Sequence, residues 1–378
     1  MPPFGTKEFL PFNEGPRVIL YHQTHHLPDS DTPVSLLPLI TNQTGITHVI
    51  VAAIHLNDKP EDITLNDHPP NHSKFTTLWS EIAWLQATGI KILGMLGGAA
   101  KGSYERLDGD NSKFEASYSP LRDMLKAHNL NGLDLDVEEP MSLPGIIRLI
   151  DRLRSDFGAD FLITLAPVAT ALLPAQPHLS GFSYHDLERQ RGHEIAWYNT
   201  QFYCGWGDAS TTLWYDAIIN TPFSPFKANK VVMGLITNPK LGAGFVEWEK
   251  LEPVLRSLRH RYADKGGFGG VMGWEYFCAL PGGEERPWEW AERMSKTIRT
   301  KELLPAPVEE SAPVQSMSAS EQTAQRPFGA PLPRPEPAFP AEKLDFLAEL
   351  GFNQQQATQA LNMTNGDVDQ AAGLLFDL

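Results

Sequence analysis

The stretch NLNGLDLDVEEP, residues 129–140, decides how this chain folds. Leu133, Leu135 and Val137 fall on every second position, as on the buried face of a strand, and Asp134, Asp136 and Glu138 fill the positions between them. Successive side chains of a strand point to opposite sides, so the three acids share one face. A row of buried, unpaired carboxylates costs several kcal/mol per charge. Fold or function must offset that.

The same short apolar rhythm recurs along the chain. Strand-like runs occur at RVILYH (17–22), THVIVAAIH (47–55), IKILGML (90–96), GLDLDVE (132–138), FLITLAP (161–167), IAWYNTQFY (195–203), KVVMGLIT (230–237) and GGVMGWEYF (269–277). Helical patterns such as 75–89 and 145–158 lie between them. Strands alternating with helices imply an α/β fold with a parallel sheet. Eight of them in one domain match a (β/α)8 TIM barrel, in which functional groups sit at the C-terminal strand ends. An open doubly wound sheet is the runner-up, but its G-x-G-x-x-G after the first strand is missing. In the barrel, Leu133, Leu135 and Val137 face the helices. Asp134, Asp136 and Glu138 then climb the interior toward the mouth, and no interior Lys or Arg appears on the other strands to neutralise them.

Composition narrows the partners. A net charge of −15 argues against nucleic acid or an anionic membrane, and no run of about 18 apolar residues offers a membrane span. A neutral sugar meets neither objection. Cys204 and Cys278 are the only cysteines and read as reduced thiols, and no cofactor is expected. The N-terminal segment has no secretory leader pattern, so we expect an intracellular, cytoplasmic protein in which the three N-x-S/T sequons are chance matches. His22, His25 and His26 lack a further ligand at a zinc spacing, and no metal site is expected. GGAAKGS (97–103) lacks the Lys after its last Gly that a phosphate loop requires.

Two carboxylates about 4 Å apart repel by roughly 4 kcal/mol at an effective dielectric near 20. That is about 3 pK units, enough for the Asp136–Glu138 pair to keep a proton near neutrality. A retained proton at the mouth of a pocket is what a general acid needs. The ladder reads as a proton relay, with Asp134 holding Asp136 through a second shared proton.

LNGLDLDVE (130–138) resembles the D-x-x-D-x-D-x-E signature of family 18 glycoside hydrolases, which lies on strand four of a (β/α)8 barrel. The resemblance extends over about residues 15–295, especially to the hevamine-like chitinase branch. It implies Glu138 as acid then base, and Asp136 orienting the sugar's 2-acetamido group, which attacks the anomeric carbon in place of a second carboxylate. Asp134 becomes electrostatic support. NTQFYCGWG (199–207) resembles the strand-six motif, which implies that Tyr203 donates to the acetamido oxygen and that Gln201 bonds the sugar. Trp274 becomes the floor of the subsite, and Tyr21 lines the cleft. Asn131, at the first acidic place of the signature, is expected with the substrate-binding residues. Two departures stand out: Met95 replaces the Ser of Ser-x-Gly-Gly on strand three, and Asn131 replaces an Asp. An altered pH optimum is the expected consequence.

Residues 301–340 contain nine prolines and almost no aromatics, a disordered linker by composition. After it, 341–378 carries apolar residues at helical spacing in three short segments, with an Asn-Gly turn between the last two. This segment resembles a ubiquitin-associated (UBA) three-helix domain. The resemblance implies ubiquitin as a partner, contacted by Leu350, Gly351, Phe352, Leu374 and Leu375.

The expected protein is a family 18 hydrolase (1–300) cutting β-1,4 bonds between N-acetylglucosamine units of chitin with retention, joined to a ubiquitin-binding tail. Alternatives are an endo-β-N-acetylglucosaminidase acting on N-glycan cores, and a non-catalytic sugar-binding or ubiquitin-binding scaffold.

Overall fold

Eight parallel strands close on themselves. Numbering only these, they are β1 (Arg17–His22), β2 (His48–His55), β3 (Lys91–Gly97), β4 (Gly132–Asp136), β5 (Leu162–Leu165), β6 (Trp197–Gln201), β7 (Val231–Ile236) and β8 (Gly270–Trp274). Each pairs with the next in order, and β1 pairs with both β2 and β8, Ile19 opposite His48 and Arg17 opposite Gly270. That double pairing of β1 rules out the open doubly wound sheet, which would leave β1 or β8 at an edge. The computed structural model describes residues 9–301 except 12, 29 and 60, together with 343, 344, 361 and 368.

The apolar runs become these strands with small changes at their ends. The most consequential is in the run 132–138, where the ladder stops at Asp136 and leaves Glu138 on the loop beyond it. The expected helices are Thr76–Ala87 and Leu143–Phe157. The second begins where the Ser142 hydroxyl accepts the Gly145 N–H at 3.0 Å, with Pro144 in its first turn, and it stops at Gly158. Such a cap contributes about 1 kcal/mol. Ile146, Leu149, Ile150 and Leu153 recur at helical spacing, and their buried face packs in one cluster with Leu133, Leu135 and Val137 of the β4 segment. Truncating one of them, as in Leu149→Ala, would cost about 2–5 kcal/mol.

The barrel interior is a separate layer. Ile19, Tyr21, Ile50, Leu93, Met95, Val232 and Met272 fill it, with Trp197 among them. So the alternation in residues 133–137 resolves as expected, aliphatics to the helices and acids to the interior.

The chain divides into two units, Met1–Ala306 and Pro307–Leu378. In the second, Lys343, Leu344, Leu361 and Val368 are helical, and Leu344 and Leu361 are buried. The expected linker from 302 onward and the expected contact residues Leu350, Gly351, Phe352, Leu374 and Leu375 lie outside the described residues.

Candidate active site

Asp134 is fully buried, yet both its oxygens are satisfied. Tyr21 donates its hydroxyl to Oδ2 at 2.6 Å from β1, while Oδ1 accepts Thr164 Oγ1 at 2.5 Å from β5 and Asn199 Nδ2 at 2.8 Å from β6. Burial raises the Asp134 pKa, and the three donors, which favour the anion, pull against it. Its partners are neutral groups rather than Lys or Arg.

One residue pair along, the hydrogen bonds change character. Gln201 Nε2 stands 3.2 Å from Asp136 Oδ1, 3.3 Å from Glu138 Oε1 and 3.0 Å from the Ala166 carbonyl. An amide nitrogen carries two protons, so it cannot serve three acceptors fully. The shortfall falls on the carboxyl pair unless that pair holds a proton of its own. Electrostatics point the same way. Burial, then Glu138, then Asp134 push the Asp136 pKa well above the usual carboxylate range. Burial also raises Glu138, against the lowering effect of the Gln201 hydrogen bond. The two titrate as one pair.

Two devices fix the loop that carries Glu138. The neighbouring Glu139 turns the other way and is buried, where its oxygens accept Gly102 N–H and Tyr104 N–H, each at 2.8 Å. The first of these donors belongs to the GGAAKGS segment (97–103), and a carboxylate of the chain itself occupies it. Gly97, at φ +92°, lets β3 come close: a Cβ there would lie 2.5 Å from the Asp136 carbonyl oxygen. Gly98 N–H then donates to that same oxygen at 3.0 Å.

Tyr203 follows β6 and is 8% exposed. Among the described residues its hydroxyl has no hydrogen-bond partner, although Asp136 and Glu138 lie near enough to raise its pKa beyond the effect of burial. Trp274 ends β8, partly exposed, with its ring 5.4 Å from that of Tyr21. Glu275 beside it is buried and accepts Gln23 N–H at 2.9 Å and Thr24 N–H at 2.8 Å. Gln23 and Thr24 form one wall of a cavity of about 660 Å³ over the ends of β1 and β2, lined also by His25, His55, Asn66 and Lys74.

The structure thus brings Asp134, Asp136, Glu138, Gln201, Tyr203, Tyr21 and Trp274 to the interior and mouth of one barrel end. Asn131 does not join them. It precedes β4, at the opposite barrel end, where its Oδ1 accepts Ile92 N–H at 2.9 Å and Gln86 Nε2 at 3.1 Å. Five residues of strand separate it from Asp136, roughly 17 Å. It ties β3 to β4 and a helix, so the expected substrate role is corrected to a structural one. His22 and His25 meet edge to face, ring centroids 4.8 Å apart, and burial depresses both imidazoles, His25 to about 4. Met95 is buried next to Asp134 on the adjacent strand, and Thr164 provides the hydroxyl that position 95 lacks.

Thr164 and Asn199 were not singled out from the sequence. For Asn199 a signal existed, because in IAWYNTQFY the residues Trp197, Asn199, Gln201 and Tyr203 alternate as the acids do. Polar residues at two of those inward places mark a buried polar network as surely as the acids mark a ladder.

No family model matches the chain. Among solved structures, a fungal endo-β-N-acetylglucosaminidase from glycosyl hydrolase family 18 is 48% identical over 75% of this chain and 98% of its own, with a TM-score of 0.70. The chitinase ChiC from Aspergillus fumigatus is 54% identical over 74% of this chain and 99% of its own, with a TM-score of 0.67. Chitinase Chi52 from Paenibacillus xylanexedens is 34% identical over 115 residues, 26% of this chain and 21% of that protein, so the chain spans about a fifth of that curated relative. DNA damage-inducible protein 1 from Chaetomium globosum is 43% identical over 53 residues, 14% of this chain and 12% of that protein. With two solved relatives near half identity, matched almost from end to end, the chain belongs to glycosyl hydrolase family 18.

Proposed function

We propose that the barrel hydrolyses β-1,4 bonds between N-acetylglucosamine units, as in chitin oligomers, by a retaining mechanism in which the substrate's acetamido group is the nucleophile. The observation that carries this reading is the Gln201 amide set between Asp136 and Glu138, above an Asp134 whose two oxygens accept three neutral donors. Glu138 gives its proton to the glycosidic oxygen as the C–O bond breaks. The acetamido carbonyl oxygen bonds to the anomeric carbon from the other side, closing an oxazolinium ring. Asp136 accepts the acetamido N–H and balances the positive charge, and Tyr203 donates to the acetamido oxygen. Glu138, now a carboxylate, takes a proton from water. That water opens the ring and restores the β configuration. Trp274 is the apolar floor on which the sugar stacks, and Gln201 and Tyr21 hold the acids in place. Glu138→Gln should abolish hydrolysis of chitotetraose while the fold stays intact. An unchanged rate removes Glu138 from the mechanism, and an α product on NMR removes the acetamido step.

A second reading, cleavage of the GlcNAc–GlcNAc core of N-glycans, is favoured by the 48% identity to an endo-β-N-acetylglucosaminidase. The same acetamido chemistry serves it. Mass-resolved products from chitotetraose and from a high-mannose glycopeptide, assayed side by side, separate the two.

The 341–378 segment we propose as a ubiquitin-binding UBA module following a Pro-rich linker at 301–340, with Leu350, Gly351, Phe352, Leu374 and Leu375 in the contact. Its support is the sequence pattern, and the short likeness to DNA damage-inducible protein 1 is compatible with it. A ubiquitin reader would act inside the cell. Retention on immobilised ubiquitin, lost on Phe352→Ala, is the test.

A further inference from the structure

We infer that Trp197 is a positioning residue for the acid ladder, its indole N–H locking the Asn199 side chain so that the amide N–H, not the carbonyl oxygen, faces Asp134. The inference rests on the mechanism proposed above.

Donor and acceptor chemistry fixes the orientation. An indole nitrogen can only donate, whereas a carboxamide can present either end. Trp197 Nε1 lies 2.9 Å from Asn199 Oδ1, and Asn199 Nδ2 lies 2.8 Å from Asp134 Oδ1. With the indole donor fixed, the carboxamide has one orientation that satisfies both contacts. A flipped amide would set oxygen against carboxylate and face the indole N–H with an NH2 group. Trp197 is 2% exposed, and Asn199 and Asp134 are fully buried, so solvent cannot compensate.

Trp197 is itself held from the barrel floor. The Arg17 guanidinium lies 4.5 Å over its ring and donates to the Asn229 carbonyl at 2.8 Å, while His48 meets the ring edge-on at 4.7 Å. A chain of contacts therefore runs from the floor to Asp134 and its neighbours. Around Asp134 itself stand Tyr21 from β1, Met95 from β3, Asp136 on its own strand, Thr164 from β5 and Asn199 from β6, with the phenols of Tyr104, Tyr184 and Tyr203 also within its field.

The consequence is a pH dependence. The Asn199 N–H favours the ionised form of Asp134, and the Asp134 charge raises Asp136, which is paired with Glu138. Without the lock, Asp134 takes up a proton at higher pH, the pressure on the pair falls, and the pair releases its own proton at lower pH. In the full-length chain acting on chitotetraose, Trp197→Phe should move the alkaline limb of kcat/KM toward acid by about half a pH unit or more, with KM within about twofold of wild type. Asn199→Leu should displace the limb the same way, and the double variant no further than the larger single change. Profiles that superimpose on wild type after scaling would overturn the inference, whatever the loss in kcat, and so would additive displacements. Should Trp197→Phe not fold, an unmoved limb in Asn199→Leu overturns it alone. Failure of the mechanism itself is distinguished by Glu138→Gln retaining its rate.

Discussion

The Gln201 side-chain nitrogen lies 3.3 Å from Glu138 Oε1, so a neutral donor from β6 reaches the proposed acid on the loop after β4. Removing this donor should have a signature opposite to that of the Trp197 lock. The Gln201 hydrogen bond lowers the Glu138 pKa, so its loss lets burial push that carboxyl higher. Gln201→Leu should therefore move the alkaline limb of the rate profile toward higher pH. A hydrogen bond to a charged group is worth about 1.5–3 kcal/mol, so kcat should fall roughly 10- to 100-fold. A limb displaced toward acid would refute this account of Gln201.

Tyr21 acts on the lower acid. Its hydroxyl donates to Asp134 Oδ2 at 2.6 Å and is the sole donor to that oxygen among the described residues. Tyr21→Phe keeps the ring against Trp274, 5.4 Å away, and deletes only the donor. Asp134 should then be protonated at higher pH, its repulsion of Asp136 should weaken, and the alkaline limb should shift toward acid with a loss of about tenfold in kcat. Steady-state rates between about pH 4 and 9 check both the direction and the size.

How much of this was legible beforehand depends on the range of the interaction. The alternation in LDLDV assigns each side chain to a face, and the faces came out as read, because that information is local to one strand. Which residues stand at the same height across the barrel is not local. Tyr21, Thr164 and Asn199 meet Asp134 only through strand registers such as Asp134 opposite Thr164, which the closure of all eight strands sets. Asn131 illustrates the opposite error. It belongs to the motif by sequence, yet it lies three residues before Asp134 and so at the other barrel end, where its side chain serves the backbone of β3. A motif records proximity along the chain, and the site is built from proximity across it.

The raised pair also makes a stability prediction. Asp136 has a folded-state pKa well above its unfolded value, so the folded state holds a proton that the unfolded chain has released. For such a group the favourable contribution is complete below the unfolded pKa, about 4, and is lost as pH rises through the folded value. A carboxyl whose pKa rises by one pH unit on folding forfeits about 1.4 kcal/mol once both states are ionised. Asp136→Asn carries no such loss. It should match wild type near pH 4 and melt higher near pH 8, by roughly 2–4 °C for each kcal/mol recovered. Calorimetry at the two pH values decides the sign, and a variant less stable than wild type at the higher pH would contradict the burial argument.

Met95 occupies the place where the family commonly has serine, and its packing implies that restoring the hydroxyl would harm this barrel. Met95 is 1% exposed in the inner layer, with its Cε 3.0 Å from where a Cβ on Gly98 would sit. The side chain therefore fills a space that serine leaves empty, and truncating a buried Met costs about 2–5 kcal/mol. The new hydroxyl recovers little, because the Asp134 oxygens already accept Tyr21, Thr164 and Asn199. Met95→Ser should thus lower the melting temperature by roughly 5–10 °C while leaving the pH–rate profile in place. A displaced profile with unchanged stability would mean that a fourth donor can still reach Asp134, and that position 95 governs the ladder's charge rather than its packing.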